Sequence, residues 1–323
     1  SQSVREPPSA PELPARPAGR LRVVSANLLN FFNGDGRGGG FPTERGAETA
    51  ADFAAQSARI QAAVEQMQPD LLAIQELEND GFGPHSAAAD FRALLNRSGT
   101  GEWSVVDPGG RIGGDVITVG LFYRRASLEA VGEPLLLDGP AFQRLSRQPL
   151  AQLFRHRTSG QTFLLAVNHL KSKGRCPDSG ENADQKDGQG CWNAARLAAV
   201  ESLVPWLRES AAAAGTDYIL IMGDMNAWRL EDPIRRFRQL GFVDLVERKS
   251  GLPQHSFLYW GALGTLDYAF ASAALSKWVA GAANWNVNAR WPRQMELQPR
   301  WLRYSDHDPV VVDFDFSQPA ASD

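Results

Sequence analysis

Cysteine is scarce in this chain: Cys176 and Cys191 are the two among 323 residues. That is too few for a disulfide scaffold and below the ligand count of a structural zinc site. Long apolar runs are missing as well. Stretches such as Phe163 to Val167 and Tyr218 to Met222 fall far short of the roughly 18 residues that a membrane-crossing helix needs. Positive charge is not in excess either. The 33 basic and 37 acidic side chains leave a formal net charge of −4, which argues against a protein that binds nucleic acid simply by being polycationic. Any polyanion requires a local site. What remains is ordinary globular usage, with 43% hydrophobic and 22% charged residues, so wholly disordered, collagen-like and coiled-coil chains are excluded.

Residues 1–20 carry Pro7, Pro8, Pro11, Pro14 and Pro17 with almost no large apolar side chains. Such a segment cannot bury enough surface to offset its ordering entropy and is expected to be a disordered tail. It contains no apolar h-region, so any signal peptide is expected to have been removed already. A short C-terminal tail is expected at 318–323. No fixed-period repeat occurs and no Pro/Ser/Gly linker divides residues 21 to 316, which favours one domain over 21–317.

Inside that domain β-like and helix-like patterns alternate. Short apolar strands are expected at Leu21 to Ala26, Leu71 to Ile74, Val116 to Tyr123, Phe163 to Asn168, Tyr218 to Met222, Leu266 to Ala271 and Val310 to Phe314. Phe53, Ile60, Val64 and Met67 recur at spacings that place them on one helical face, ended by Pro69,. Further helices are expected around 193 to 208 and 232 to 240. The alternation is that of a layered α/β protein.

Polar residues fall at the ends of these runs: Asn27, Glu76, Asn168-His169, Asp224-Met225-Asn226, and Asp306-His307-Asp308 before the last strand. Strand ends in layered α/β proteins meet at one rim, so side chains distant in sequence can converge there. A single Asp or Asn at a strand end is more often a turn or cap residue; the joint pattern is much harder to reach by accident. The set is rich in oxygen, which suits hard cations rather than zinc or copper, and it leaves two histidines for proton chemistry.

In chain order, Ser25-Ala26-Asn27-Leu28-Leu29-Asn30-Phe31-Phe32, Ile74-Gln75-Glu76-Leu77-Glu78-Asn79, Asn168-His169-Leu170-Lys171-Ser172-Lys173-Gly174, Gly223-Asp224-Met225-Asn226, Thr265-Leu266-Asp267-Tyr268 and Ser305-Asp306-His307-Asp308-Pro309 resemble the endonuclease/exonuclease/phosphatase superfamily, the deoxyribonuclease I-like fold. The Asn27 to Phe32 stretch, Arg45-Gly46-Ala47 and the segment from His169 to Asn193 with its two cysteines look most like extracellular bacterial nucleases. The resemblance implies a four-layer α/β sandwich, two mixed β-sheets packed face to face with helices outside. It implies a secreted or extracellular, alternatively periplasmic, enzyme using Mg²⁺ or Mn²⁺ to hydrolyse DNA, with RNA as a further substrate; a monomer is expected.

Carried over residue by residue, Glu76 resembles the principal metal ligand, with Asn27 and Asp306 beside it. Asp224 matches the position that orients or deprotonates the attacking water and ligates a second ion. Asn226 would join its shell or hold the phosphate, being two residues on and so on the same face of an extended segment. His307 resembles the histidine close to the scissile phosphate, and as a neighbour of Asp306 it is grouped with the metal ligands. His169 resembles the second histidine, which contacts a phosphate oxygen or protonates the leaving oxygen, with Asp267 expected to orient His169 or water. Asp115 is read either as a second carboxylate behind a histidine or as a turn residue, Glu78 either as sharing the face of Glu76 or as solvated loop. His85, His156 and His255 match no motif and are read as surface or helix-end residues.

Substrate contacts are expected from Lys171, Lys173 and Arg147. Arginines gather between Arg144 and Arg157 and between Arg290 and Arg303, the latter with Trp291 and Trp301, a mixture that suits phosphate and base contacts as well as an ordinary solvated loop. With few elements that could read base edges, little sequence specificity is expected. Cys176 and Cys191 enclose a loop of about 15 residues and are read as a bridge, which suits a secreted protein, with free thiols in a cytoplasmic protein as the alternative. The loop acids Asp178, Glu181, Asp184 and Asp187 offer oxygens for a structural Ca²⁺, although their spacing fits no helix-loop-helix calcium motif. Two other functions are weighed beside it: a phosphodiesterase or phosphatase acting on lipid head groups or inositol phosphates, with the same chemistry and slightly favoured by the acidic total, and a catalytically silent binding module, which predicts lost ligands where none is lost.

Overall fold

The computed structural model describes residues 11–13, 16, 18–143, 145–250, 254–292 and 299–317. Along these the elements are β1 (Leu21–Phe31), α1 (Ala50–Met67), β2 (Leu71–Glu78), α2 (Ala87–Arg97), β3 (Trp103–Val105), β4 (Ile117–Arg124), β5 (Leu128–Leu136), α3 (Pro140–Gln143), β6 (Leu150–His156), β7 (Thr162–His169), α4 (Asn193–Ala213), β8 (Ile219–Asp224), α5 (Asp232–Gln239), β9 (Phe242–Asp244), α6 (Leu245–Ser250), β10 (Phe257–Tyr259), β11 (Ala262–Gly264), β12 (Asp267–Ser272), α7 (Ala273–Ser276), β13 (Val279–Asn284) and β14 (Val310–Phe314).

Two six-stranded sheets form, in the orders β13-β14-β1-β2-β4-β3 and β5-β6-β7-β8-β12-β9, with β10-β11 as a separate hairpin. Each large sheet is mixed. β1 runs parallel to β2, and β7 parallel to β8, while their other neighbours are antiparallel. Parallel neighbours need a crossover, and α1 and α4 supply it. Each sheet therefore carries one βαβ unit at its centre, whose two strand ends lie side by side at the same rim.

The strand side chains alternate between two buried faces, which is why the runs are nearly continuous in apolar residues. Val23, Leu71, Leu121, Leu165, Val167, Leu220 and Met222 fill the space between the sheets. Val24, Leu72 and Ile74 instead turn outward onto Ile60, Val64 and Met67 of α1 and Phe91 of α2. On the far side Leu164, Ala166 and Ile221 meet Val200, Leu203, Val204 and Leu207 of α4 and Phe237 of α5. The result is the four-layer sandwich, helix, sheet, sheet, helix. The apolar face predicted on α1 is the one used, and Thr49 starts that helix with a reciprocal capping pair to Asp52,.

All seven strands expected from the sequence form, with β1 running on to Phe31. Helix α4 extends past the expected end at 208 to Ala213, and α5 ends at Gln239. Four of the described residues of the expected tail touch the body, Arg20 Nε lying 3.5 Å from Asp315 Oδ2. Pro11 O accepts from Trp285 Nε1 at 2.9 Å, Leu13 packs in the α1 layer, and Arg16 pairs with Asp70 at 2.7 Å.

Candidate active site

The parallel pair β1/β2 ends in a bulge. Pairing slips between Asn27 and Phe31 on one strand and between Gln75 and Leu77 on the other. Leu29, Asn30 and Glu76 all have positive φ there, a conformation side chains adopt only when the surroundings hold them. The bulge aims Glu76. Its two oxygens accept from Asn27 Nδ2 at 3.2 Å and from the Asn30 backbone N–H at 3.0 Å, while Asn27 Oδ1 accepts from the Leu29 N–H at 2.9 Å.

The parallel pair β7/β8 ends opposite. His169 and Asp224 are register partners, both buried, with His169 Nε2 3.4 Å from Asp224 Oδ2. Close approach of the two backbones depends on Gly223, whose φ is +139° and where a Cβ would lie 1.9 Å from Asn168 O. Just past the strand the Asn226 N–H donates to Asp224 Oδ1 at 2.8 Å, and Asn226 Nδ2 holds Leu170 O at 3.1 Å.

β12 begins at Asp267, the register partner of Asp224. Asp267 Oδ2 lies 2.8 Å from His307 Nδ1, which leaves His307 Nε2 facing Asp224 Oδ2 at 3.8 Å. Asp224, Asp267 and His307 thus bring one ligand atom each within 4.8 Å of one another, all three buried. Glu76 is near enough for its charge to push Asp224 up, and Asp306 near enough to push His307 up.

The two histidines are driven apart electrically. Burial alone would lower His307, but the Asp267 and Asp224 carboxylates outweigh it and hold the imidazole well above the ordinary histidine range,. His169 is held well below that range by burial, reinforced by the Arg147 guanidinium. Asp224 is raised, first by burial and then by Asp267 and Glu76. Carboxylates of this density repel one another until a cation joins them. Their oxygens, the Asn27 and Asn226 amides and one imidazole form a donor set that fits a hard divalent ion.

The model of the Endonuclease/Exonuclease/phosphatase family matches residues 24–307. The chain belongs to this family. No curated protein is significantly similar in sequence. Among solved structures, the human nocturnin catalytic domain with bound sulfate shares 20% identity over 93% of this chain and 96% of its own, with a TM-score of 0.60. The Bacteroides thetaiotaomicron mannosyl-6-phosphatase shares 16% over 90% and 98%, with a TM-score of 0.61. ANGEL2, a 2′,3′-cyclic phosphatase, shares 14% over 93% and 96%, with a TM-score of 0.57. At these identities the likeness is one of fold. Members of the family are phosphoesterase hydrolases, and divalent metals are their general cofactor.

For this family member the structure brings together Asn27, Glu76, His169, Asp224, Asn226, Asp267, Asp306 and His307 at one rim, and it corrects several details. Asp267 orients His307, not His169. His169 Nδ1 is buried with no hydrogen-bond partner, and its Nε2 faces Asp224 and, at 3.4 Å, Arg147 Nη1. Asn226 does not reach the site as the second residue of an extended run. β8 stops at Asp224, and a left-handed Asn226 with φ +49° turns the chain. Glu78 leaves the site and accepts from the Asn33 N–H at 3.1 Å, with burial lifting it to about 7. Asp115 reaches its histidine only indirectly, pairing at 2.9 Å with Arg147.

The expected cationic contacts are also rearranged. Lys173 is paired with Glu231 and lies over the Trp228 ring, and the Lys171 ammonium turns back to Ser172 O over Trp192. Arg155 and Arg157 lie at the far end of β6 beside Glu129, and Arg144 falls outside the described residues. Trp291 and Trp301 pack in the α1 layer instead of offering a stacking surface; Arg293 and Glu296 are outside the described residues. His156 is buried, bonded to Ser159 Oγ at 2.9 Å and packed at a tilt against the Phe316 ring, so it is neither a surface nor a helix-end residue. His255 is part-buried and lies 3.8 Å from Asp308.

Cys176 and Cys191 are bonded. The loop acids Asp178, Glu181, Asp184 and Asp187 are not among the grouped metal-ligand atoms of the described residues; Asp184 binds Lys186 Nζ at 2.8 Å.

The scaffold behind His307 escaped sequence reading. Ser256 Oγ accepts from the Leu266 and Asp267 N–H groups at 2.9 and 3.0 Å, and Ser256 O takes the Asp308 N–H at 2.7 Å. Asp308 accepts from Asn288 N at 2.6 Å and Asn286 Nδ2 at 3.0 Å, while Asn288 Nδ2 holds His307 O at 2.6 Å. Asp308 stood inside the quoted motif. Ser256, Asn286 and Asn288 carry no signal beyond being polar residues in loops.

Proposed function

We propose that this chain is a secreted, divalent-metal-dependent nuclease that hydrolyses phosphodiester bonds of DNA, and secondarily RNA, with little sequence specificity. The observation that carries the reading is the shape of the rim. A cleft of about 280 Å³ lined by Ser172, Asn226, Trp228, Phe257, Tyr259 and His307 opens on one side of the acidic cluster. A groove of about 490 Å³ lined by Asn30, Arg45, Gln56, Arg59 and Arg303 opens on the Glu76 side. A phosphodiester carries a substituent on both sides of its phosphorus, and both have somewhere to lie. The arginines provide the local cation that the net charge of −4 withholds overall,. The bonded cysteines support an extracytoplasmic location,.

Glu76, Asn27 and Asp306 would hold Mg²⁺ or Mn²⁺, with Asp224 and Asn226 facing it from the other sheet. When bound, the ion stabilises negative charge on the phosphoryl oxygens. Asp224, raised by burial, takes the proton of the attacking water. Asp267 fixes His307 so that Nε2 points into the site, and the imidazolium donates to a phosphoryl oxygen. His169, neutral, stands on the other side of Asp224 beside Arg147, placed to contact phosphate or the leaving oxygen.

Plasmid DNA, a linear oligonucleotide, a sugar phosphate and phosphatidylcholine, each with Mg²⁺ or Mn²⁺ and again with chelator, separate the possibilities. Metal-dependent strand cleavage with little phosphate release from the monoester is expected. Inert DNA with rapid release of phosphate or phosphocholine would replace the nuclease by a phosphatase or lipid phosphodiesterase.

A further inference from the structure

The exposed large hydrophobics of the described residues are Leu230, Leu258, Tyr259, Trp260 and Leu263. Four of the five belong to the β10-β11 hairpin and its turn. β10 and β11 pair Tyr259 with Ala262 and Leu258 with Leu263, so Trp260 and Gly261 form a two-residue turn. Both have positive φ, +48° and +83°. Turns of that kind favour Asn, Asp or Gly, and a bulky residue there is strained. Trp260 is 92% exposed, so burial does not compensate. Neither turn chemistry nor packing accounts for a tryptophan at this tip.

The base of the hairpin is fixed to the catalytic rim. Ser256, which clamps Asp267 and Asp308, precedes β10. The Phe257 ring lies 4.5 Å from the His307 ring, and Gly264 sits so tightly on Trp228 that a Cβ would meet the indole at 2.6 Å. Along β10 alternate residues share a face. Phe257 and Tyr259 line the cleft that also holds His307 and Asn226, while Leu263, paired with Leu258 on the opposite face, borders the hollow behind the hairpin with Leu230. A row of aromatic rings therefore starts at the proposed phosphate site and runs outward to Tyr259, whose ring meets that of Trp260 edge-on at 6.3 Å.

We infer that Phe257, Tyr259, Trp228 and the Trp260 tip form a stacking subsite for an unpaired nucleobase next to the scissile phosphate, which makes single-stranded nucleic acid the preferred substrate class. The inference rests on the nuclease reading above and sharpens it. Rings packed beside a phosphate site accept the face of a base, and a base exposes its face only when it is out of a duplex stack. Leu258 and Leu263 are turned away from the cleft and do not contribute. A lipid surface is the competing occupant of such a hairpin; the continuity of the aromatic row with His307 favours a ligand that ends in the active site.

The test compares kcat and KM for a single-stranded oligonucleotide, the same strand in a duplex, and the same strand abasic beside the cleaved linkage. Each is measured for the parent, Tyr259→Ala, Trp260→Ala, and the conservative Tyr259→Phe and Trp260→Tyr. These side chains are exposed, so the fold should tolerate the changes. Stacking of one base corresponds to roughly 5- to 150-fold in affinity. The parent is expected to favour the intact single strand by at least that lower bound. The alanine variants should lose the preference mainly through KM, the aromatic variants should recover it, and parent and variant should converge on the abasic strand. Equal rates on all three substrates, with alanine variants as active as the parent, would overturn the subsite and leave the nuclease reading standing. Failure to cut any oligonucleotide would remove both. Unchanged oligonucleotide kinetics with lost binding to phosphatidylcholine vesicles would assign the hairpin to a membrane surface instead.

Discussion

At the scale of single residues, the site is organised by which carboxylate each imidazole meets. His307 and His169 approach the same Asp224 oxygen, at 3.8 and 3.4 Å, yet one is pushed up and the other down. The difference is Asp267, which touches only His307 in this pair, and Arg147, which faces His169. Asp267→Asn removes the stronger of the two attractions on the imidazolium. The His307 resonance should then titrate at lower pH by NMR, and the alkaline limb of the kcat/KM profile should move to lower pH with it. An unshifted limb would take His307 out of the proton chemistry. The residue types of the site were readable from the sequence because each motif lies at the start or the end of a strand. Their pairings were not: Asp267 and His307 are 40 positions apart, and only the antiparallel pairing of β12 on β8 and the Ser256–Asp308 clamp decide which histidine the aspartate meets. The backbone turn that carries Asn226 is equally invisible to a period-two argument.

Among the elements, the two parallel pairs do the positioning. Gly223→Ala would place a methyl against Asn168 O and force a left-handed backbone on alanine. A loss of about 3 kcal/mol in urea unfolding is expected, with activity falling as His169 and Asp224 separate; wild-type stability would contradict the close approach. The loop after β7 is the other case. Its disulfide spans 15 residues, and the fully buried Arg196 holds Lys171 O at 3.1 Å and Cys191 O at 2.9 Å from inside. The double change Cys176→Ser and Cys191→Ser should cost roughly 3 kcal/mol by the chain-entropy model, read as a lower denaturation midpoint. Central strands were legible because both of their faces are buried and their apolar runs are continuous. β3, β5 and β13 lie at or near sheet edges, where one-sided burial leaves small, charged or interrupted sequences such as Val279 to Asn284. β6, read from its arginines as a basic segment, is a strand whose far end carries them.

Over the whole molecule the rims divide the labour. The candidate site lies where the parallel strands end; the opposite rim holds the charge network that fastens β1. There the buried Arg22 makes two contacts of 2.7 and 2.8 Å to Asp313, and Asp70 takes Arg16, Arg124 and Ser127. His156 lies at this end, buried, its imidazole pushed below the ordinary value of 6.5 chiefly by desolvation. The unfolded chain therefore takes up the proton first. Its contribution to stability is complete above about pH 6.5 and declines as pH falls below that value. His156→Gln should flatten the fall in unfolding free energy between about pH 7 and pH 5 relative to the parent; parallel curves would show that the group does not couple to folding. The central claim, that two sheets join their strand ends into one divalent-cation site for phosphodiester hydrolysis, is tested most directly by the rate of oligonucleotide hydrolysis against free Mn²⁺, for chelated parent and for Glu76→Gln. The account predicts an inert chelated enzyme, saturable recovery by Mn²⁺, and a variant that needs at least about tenfold more metal and turns over far more slowly. Full activity in chelator, or a variant indistinguishable from the parent, would contradict it.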